Sequence, residues 1–215
     1  MNFDTTDTEP DANNDEEQPQ YERGSKHRSP EYGVDLLFLN RWSPRAMSGE
    51  PLSEHEFMSL IEAARWAPSS YNNQPWRFLY AFRDSDHWDT FFNLLVEFNQ
   101  KWADDAAVLM VIVSHTKFEH NGEASRTHSF DAGAAWENLA LQGARNGLVV
   151  HAMEGFDDER AREELDVPED YAVEAMVAIG KPGDPADLPE DLQERETPSD
   201  RKPVSEIAME GSFQD

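Results

Sequence analysis

Two arginines and a serine fall within five residues at Arg41-Trp42-Ser43-Pro44-Arg45. A guanidinium presents its N–H donors as a fork that matches phosphate or carboxylate oxygens, and a serine hydroxyl adds a neutral donor. Taken alone, they also read as surface arginines answering nearby carboxylates. A longer stretch, Ala67-Pro68-Ser69-Ser70-Tyr71-Asn72-Asn73-Gln74-Pro75-Trp76-Arg77, concentrates primary amides between two proline residues. Each amide offers two donors and an acceptor, which suits a ring edge of alternating carbonyl and N–H groups. A plain loop of turn residues would have a similar composition. Met153-Glu154-Gly155-Phe156 places a glycine where backbone N–H groups can approach a ligand. Arg201-Lys202-Pro203 is a basic island whose simpler account is charge balance for Asp200 and Glu206.

Other chemistries are poorly supplied. There is no cysteine, so disulfides, thiolate catalysis and cysteine metal sites are excluded. His115, His120 and His128, with Glu119, fit no standard ligand spacing and read as an exposed loop. Asp131 and Glu137 lie six apart, do not share a helix face, and make poor partners for paired-carboxylate catalysis. Most of the tryptophans read as core, Trp66 and Trp136 equally as subunit-interface residues.

The elements that must position these groups follow from periodicity. Val34, Leu36, Leu37 and Leu39 lead into Arg41. Ser53-Glu54-His55-Glu56 has capping-box spacing, and Phe57, Leu60, Ile61 and Ala64 follow at helical intervals up to Ala67-Pro68. Trp88, Phe91, Phe92 and Leu95 stripe a second helix, and 130–145 a third, closed by Asn146-Gly147. Strands are predicted at 77–83, 106–114, 148–152 and 172–179, and another helix begins near Asp157. Helices and strands interleave irregularly, which favours an α+β three-layer arrangement over a doubly wound sheet.

Net charge is −26, and only five of the eighteen basic residues are lysine. Such a field repels nucleic acid and anionic lipid, and neither is expected as a partner. An acidic, lysine-poor surface suits a salt-rich cytoplasm, where screening weakens self-repulsion, so a halophilic source is expected. Residues 1–22 carry eight acids and no base, and residues 1–30 are read as an acidic disordered tail preceding one domain over 31–215. The N-terminus lacks signal-peptide character and the apolar run 106–113 is too short to span a bilayer, so a cytoplasmic location is expected.

As an ordered set, these segments resemble the nitroreductase family of FMN enzymes. Arg41, Ser43 and Arg45 match the family's Arg-x-Ser-x-Arg/Lys element, and Ala67 to Trp76 match its Ala-Pro-Ser-x-x-Asn-x-Gln-Pro-Trp motif at each position. Asp131, Gly133, Asn138 and Leu139 match a helical element, and Gly147-Leu148 and Gly155-Phe156-Asp157 match a strand and turn. The 178–183 segment and Arg201-Lys202-Pro203 complete the series.

The resemblance implies an interlocked homodimer with a mainly antiparallel central sheet and FMN at the subunit interface. Arg41, Ser43, Arg45 and Arg201 would bind the FMN phosphate, with a backbone contact from Trp42. Asn72 and Gln74 would meet the ribityl chain and ring edge from the opposite subunit, and Met153, Glu154 and Gly155 would line the isoalloxazine. NAD(P)H would be co-substrate, and a nitroaromatic or quinone the acceptor, in a ping-pong cycle. The alternatives are a specialised member that dehydrogenates or dehalogenates, or a flavin-binding protein without reductase activity. Where the family often has lysine two residues before the final arginine, this chain has Ser199, which leaves the phosphate clamp one charge short.

Overall fold

The computed structural model describes residues 24–213. Its helices are α1 (Leu36–Asn40), α2 (Glu54–Arg65), α3 (Trp88–Leu94), α4 (Glu97–Ala103), α5 (His128–Arg145), α6 (Asp158–Glu164), α7 (Glu190–Gln193) and α8 (Val204–Ile207). Its strands are β1 (Trp76–Phe82), β2 (Val108–His115), β3 (Val149–Met153) and β4 (Tyr171–Gly180). The predicted helices and strands are all present, with ends that move by one to two residues.

The four strands form one sheet in the order β1-β2-β4-β3, every neighbour antiparallel. Side chains alternate across a strand, so one sheet can floor two cores. Leu109, Val111, Val113, Met176 and Ala178 face one side, against Trp88, Phe91, Leu94, Trp102, Ala161 and Leu192. Val108, Met110, Ile112, Val177 and Ile179 face the other, against Phe57 and Leu60 of α2 and Ala135 and Leu139 of α5. Both faces of β2 are covered, so it reads as a continuous apolar run. The result is the α+β sandwich of three layers that the interleaved periodicities predict.

Helix ends obey local chemistry. Ser53 accepts from the Glu56 backbone while the Glu56 side chain accepts from the Ser53 backbone, closing the capping box read from the sequence. Gly147, at φ 71, turns the chain out of α5 into β3. Gly183 has a different reason: a Cβ there would lie 2.5 Å from the carbonyl of Met47, whose neighbour Ala46 accepts from the Gly183 N–H.

Within the predicted tail, residues 1–23 lie outside the described part, but Gly24–Lys26 forms a single helical turn and Gly24 is buried. Arg28 ties this segment to the domain, its guanidinium donating to the carbonyls of Leu39, Arg41 and Ser199. Composition does not register those three backbone acceptors, which come together only on folding.

Candidate functional site

β3 pairs only with β4, so it is a sheet edge, and two clefts flank it. One is a pocket of about 270 Å³ lined by Arg28, Arg41, Trp42, Ser43, Arg45, His151, Arg195, Thr197, Ser199 and Arg201. Five of the chain's arginines converge there in a protein of net charge −26. The structure thus brings together Arg41, Trp42, Ser43, Arg45 and Arg201, all predicted from sequence. It adds Arg28, His151, Arg195 and Thr197, which sequence reasoning missed. Arg28 sits in a stretch whose composition reads as tail, and Arg195 lies among acids six residues before Arg201.

The pocket's charges are only partly answered. Arg45 lies 3.9 Å from the buried Glu196 carboxylate, which also accepts from the backbone N–H of Arg45 and Ala46. Arg41 is 3.8 Å from Glu137 and within reach of Ser43 Oγ at 3.4 Å. Among the described residues, two buried guanidinium nitrogens, Nη2 of Arg28 and Nε of Arg45, find no hydrogen-bond partner. A buried donor left unpaired costs on the order of 1–3 kcal/mol, so such atoms mark where an acceptor belongs. Burial, with Arg201 and Arg41 nearby, holds Arg28 below the ordinary guanidinium value. The donor set fits a phosphate dianion.

His151, on β3, donates Nδ1–H to the Pro44 carbonyl (2.8 Å) and packs its ring 4.6 Å from that of Trp102. Burial drives its pKa from 6.5 to about 4, and the charges of Arg45 and Arg41 push the same way against the Pro44 bond. His151 is therefore neutral at pH 7. Between pH 6.5 and 4 the unfolded chain binds a proton that the folded chain refuses, so stability falls as pH drops through that window. The loss should reach at most about 3 kcal/mol. Urea unfolding at pH 7 and 4.5 should show a larger drop for wild type than for His151→Asn, and equal drops would contradict this assignment.

The second cleft, about 200 Å³, is lined by Ile112, Ser129, Ala132, Gly133, Trp136, Ala152, Glu174 and Ala175. Ala152 follows His151 and faces the opposite side of the strand. The walls are small: a Cβ on Gly133 would meet nothing within 4 Å. The buried indole N–H of Trp136 has no partner among the described residues. At its mouth β4 bulges between Val173 and Ala175, leaving Glu174 out of the ladder. Such bulges re-aim a side chain, and here the Glu174 carboxylate accepts from Ser114 and, at 2.8 Å, from Ser129. His128 Nδ1 lies 2.7 Å from Ser114 Oγ and 3.4 Å from Glu174. Serine and glutamate meet the same imidazole nitrogen, so the cluster is not a nucleophilic triad, which needs both ring nitrogens. It can hold a proton.

This cluster corrects the expectation of an exposed histidine loop. His115 ends β2 and pairs with Asp170 at 3.1 Å, while His128 opens α5; only His120 lies in a loop, beside the Tyr71 and Phe118 rings. Among the described residues no group of three or more acidic or histidine side chains is arranged to hold a metal.

The amide-rich loop is strained and braced. Tyr71, Asn72 and Gln74 have φ of 52°, 52° and 46°, a left-handed region that non-glycine residues seldom enter. Asp131 of α5 accepts from the Ser70 backbone, Ser69 Oγ from that of Gln74, and Asn73 bridges Lys117 and Glu119. Strain of this kind persists only where surroundings over-determine it, and it clusters at functional loops. Asn72 and Gln74 are exposed and line neither cleft of their own chain. Asp131 and Glu137, set aside as a catalytic pair, serve apart as the loop brace and the Arg41 partner.

The turn after β3 departs from its sequence reading in two respects. Met153 sends its side chain into the core, leaving only its backbone to face a ligand. Gly155 answers to a protein neighbour, since a Cβ there would lie 2.6 Å from Asn99 Nδ2, which donates to the Gly155 carbonyl at 2.9 Å. Glu154 is exposed.

An antiparallel sheet between two helical layers is the architecture that this chain shares with nitroreductase-fold structures. A solved structure described as an oxidoreductase containing FMN superposes at TM-score 0.84, with 48% identity over 87% of this chain and 96% of that one. A putative nitroreductase in complex with FMN from Desulfovibrio desulfuricans superposes at 0.65, with 24% identity over 83% and 96%. The family model described as "Nitroreductase family" matches residues 39–94 and 82–181, and the chain belongs to that family. Among curated relatives, a putative NAD(P)H nitroreductase of Bacillus subtilis is 24% identical, covering 63% of this chain and 82% of its own length. No helix among the described residues is long and apolar enough to cross a membrane.

Proposed function

We propose that this protein is a homodimeric FMN enzyme that passes electrons from a reduced nicotinamide to an organic acceptor by a ping-pong route. The observation that carries the reading is the arginine pocket with two unpartnered buried guanidinium nitrogens beside an edge strand. Support comes from the FMN-containing neighbour at 48% identity and from relatives named as NAD(P)H nitroreductases. Bound FMN supplies the hydride chemistry, so no protein nucleophile is required.

The chain's own residues bind, orient and shield. Arg41, Ser43, Arg45 and Arg201 would hold the phosphate, and the backbone at Met153, Glu154 and Gly155 would meet the ring. The small side chains Ala132, Gly133, Ala152 and Ala175 leave an apolar cleft suited to a flat ring system. Ser129, His128 and Glu174 can hold a proton at the mouth of that cleft and pass it to a reduced acceptor.

Asn72 and Gln74 would reach the flavin of the partner subunit. The exposed apolar side chains favour such a dimer: Leu36 and Phe38 on α1, Phe130 on α5, Ile207 on α8 and Phe213 beyond it.

A purified preparation should be yellow, and its visible bands should bleach when NADH or NADPH is added without oxygen. Colour without bleaching would leave a flavin carrier and remove the reductase. Arg201→Ala should weaken FMN binding by about 1.5–3 kcal/mol, the scale of a charge-assisted hydrogen bond. An unchanged affinity in fluorescence titration would remove Arg201 from the phosphate site.

A further inference from the structure

We infer that Arg28, from the segment ahead of the matched family region, is a phosphate ligand that supplies the charge absent at Ser199. The inference rests on the FMN reading above and names a residue that no motif of the family assigns. The family match begins at residue 39, whereas Arg28 reaches the pocket from the turn at Gly24–Lys26.

The geometry is that of a held guanidinium with one nitrogen kept in reserve. Nη1 donates to the carbonyls of Leu39 (2.9 Å) and Arg41 (2.7 Å), and Nε donates to the carbonyl of Ser199 (2.9 Å). Nη2 is buried and has no partner among the described residues. Three acceptors thus fix the plane of the group, and Arg28 lines the same pocket as Arg41, Ser43 and Arg201. The bond from Nε to the Ser199 backbone puts the cation beside the position where the family's lysine would stand.

Charge points the same way. Glu196 answers Arg45, and Glu137 lies near Arg41. Among the described residues Arg28, Arg195 and Arg201 remain, with Asp200 an acidic neighbour that favours the charged form of Arg28. Placing another cation against Arg41 and Arg201 is unfavourable unless an anion fills the space between them. A phosphate monoester dianion satisfies the spare N–H and removes the repulsion together.

Three variants test the assignment, with FMN and riboflavin as probes in fluorescence titration of the full chain. Riboflavin lacks the phosphate, so the ratio of the two dissociation constants isolates that subsite. Arg28→Ala should weaken FMN by roughly 10- to 100-fold while leaving riboflavin nearly unchanged. Arg28→Lys, which keeps the charge and loses the fork, should fall between.

The double variant Arg28→Ala/Ser199→Lys should recover most of the FMN preference. A lysine at 199 cannot replace the bonds to Leu39 and Arg41, so a purely structural role for Arg28 would show no recovery. Equal weakening of both flavins by Arg28→Ala, no weakening at all, or failure of the double variant to recover would each overturn the assignment. A wild-type protein that binds riboflavin as well as FMN would overturn the Arg28 role and leave a flavin site. A wild-type protein that binds neither would overturn the function proposed above along with it.

Discussion

Mixing Arg41→Ala protein with Asn72→Ala protein, each inactive alone, should restore activity after co-refolding. Asn72 is exposed in a strained, braced loop and lines neither cleft of its own chain, whereas Arg41 lines the arginine pocket. If each site takes Arg41 from one subunit and Asn72 from the other, a heterodimer holds one intact site and one doubly damaged site. Random pairing into two-fold dimers should recover about a quarter of the wild-type sites. The exposed apolar side chains on α1, α5 and α8 give the subunits a reason to associate. Thermal unfolding should then depend on protein concentration. Light scattering that reports a flavin-loaded monomer, or mixing that restores nothing, would end the shared-site proposal and leave the flavin reading intact.

Glu196→Ala should cost about 3 kcal/mol of stability, the low end for breaking a buried ion pair by removing one partner. The Glu196 side chain is 2% exposed and accepts from two successive backbone N–H groups, Arg45 at 2.6 Å and Ala46 at 2.9 Å. Truncation strands both donors and leaves the Arg45 guanidinium, 21% exposed, without its carboxylate. Arg45 would lose its tether beneath the pocket, so FMN affinity should fall with stability. Glu196→Gln keeps an oxygen for the backbone and should lose roughly half as much, since the two N–H groups remain satisfied. Urea denaturation at fixed protein concentration is the measurement. An alanine variant within about 1 kcal/mol of wild type would mean that water replaces the carboxylate and that the pair is not an anchor.

The path from residues to elements was short wherever a local rule applied. The capping box at Ser53, the apolar run of β2 and Gly147 after α5 each depend on residues a few positions apart, and each appears where the sequence places it. The ordered motifs likewise located Arg41, Ser43, Arg45 and Arg201 before their convergence in one pocket was visible.

What periodicity could not reach was anything decided by backbone far away in the chain. Arg28 looks like part of a solvated tail until the carbonyls of Leu39, Arg41 and Ser199 gather around it. His151 reads as one residue of a short strand, and its neutral state arises from burial beside Arg45 and Arg41. The Ser114, His128 and Glu174 cluster draws on two strands and a helix, and one unpaired residue in β4 aims its carboxylate. Even Gly155, read from sequence as a place for a ligand, packs against Asn99, 56 residues away. Local sequence determines which elements form because capping and alternation act over a few bonds. Their packing decides which charges are buried, which donors lack acceptors, and hence where a ligand is needed to complete them.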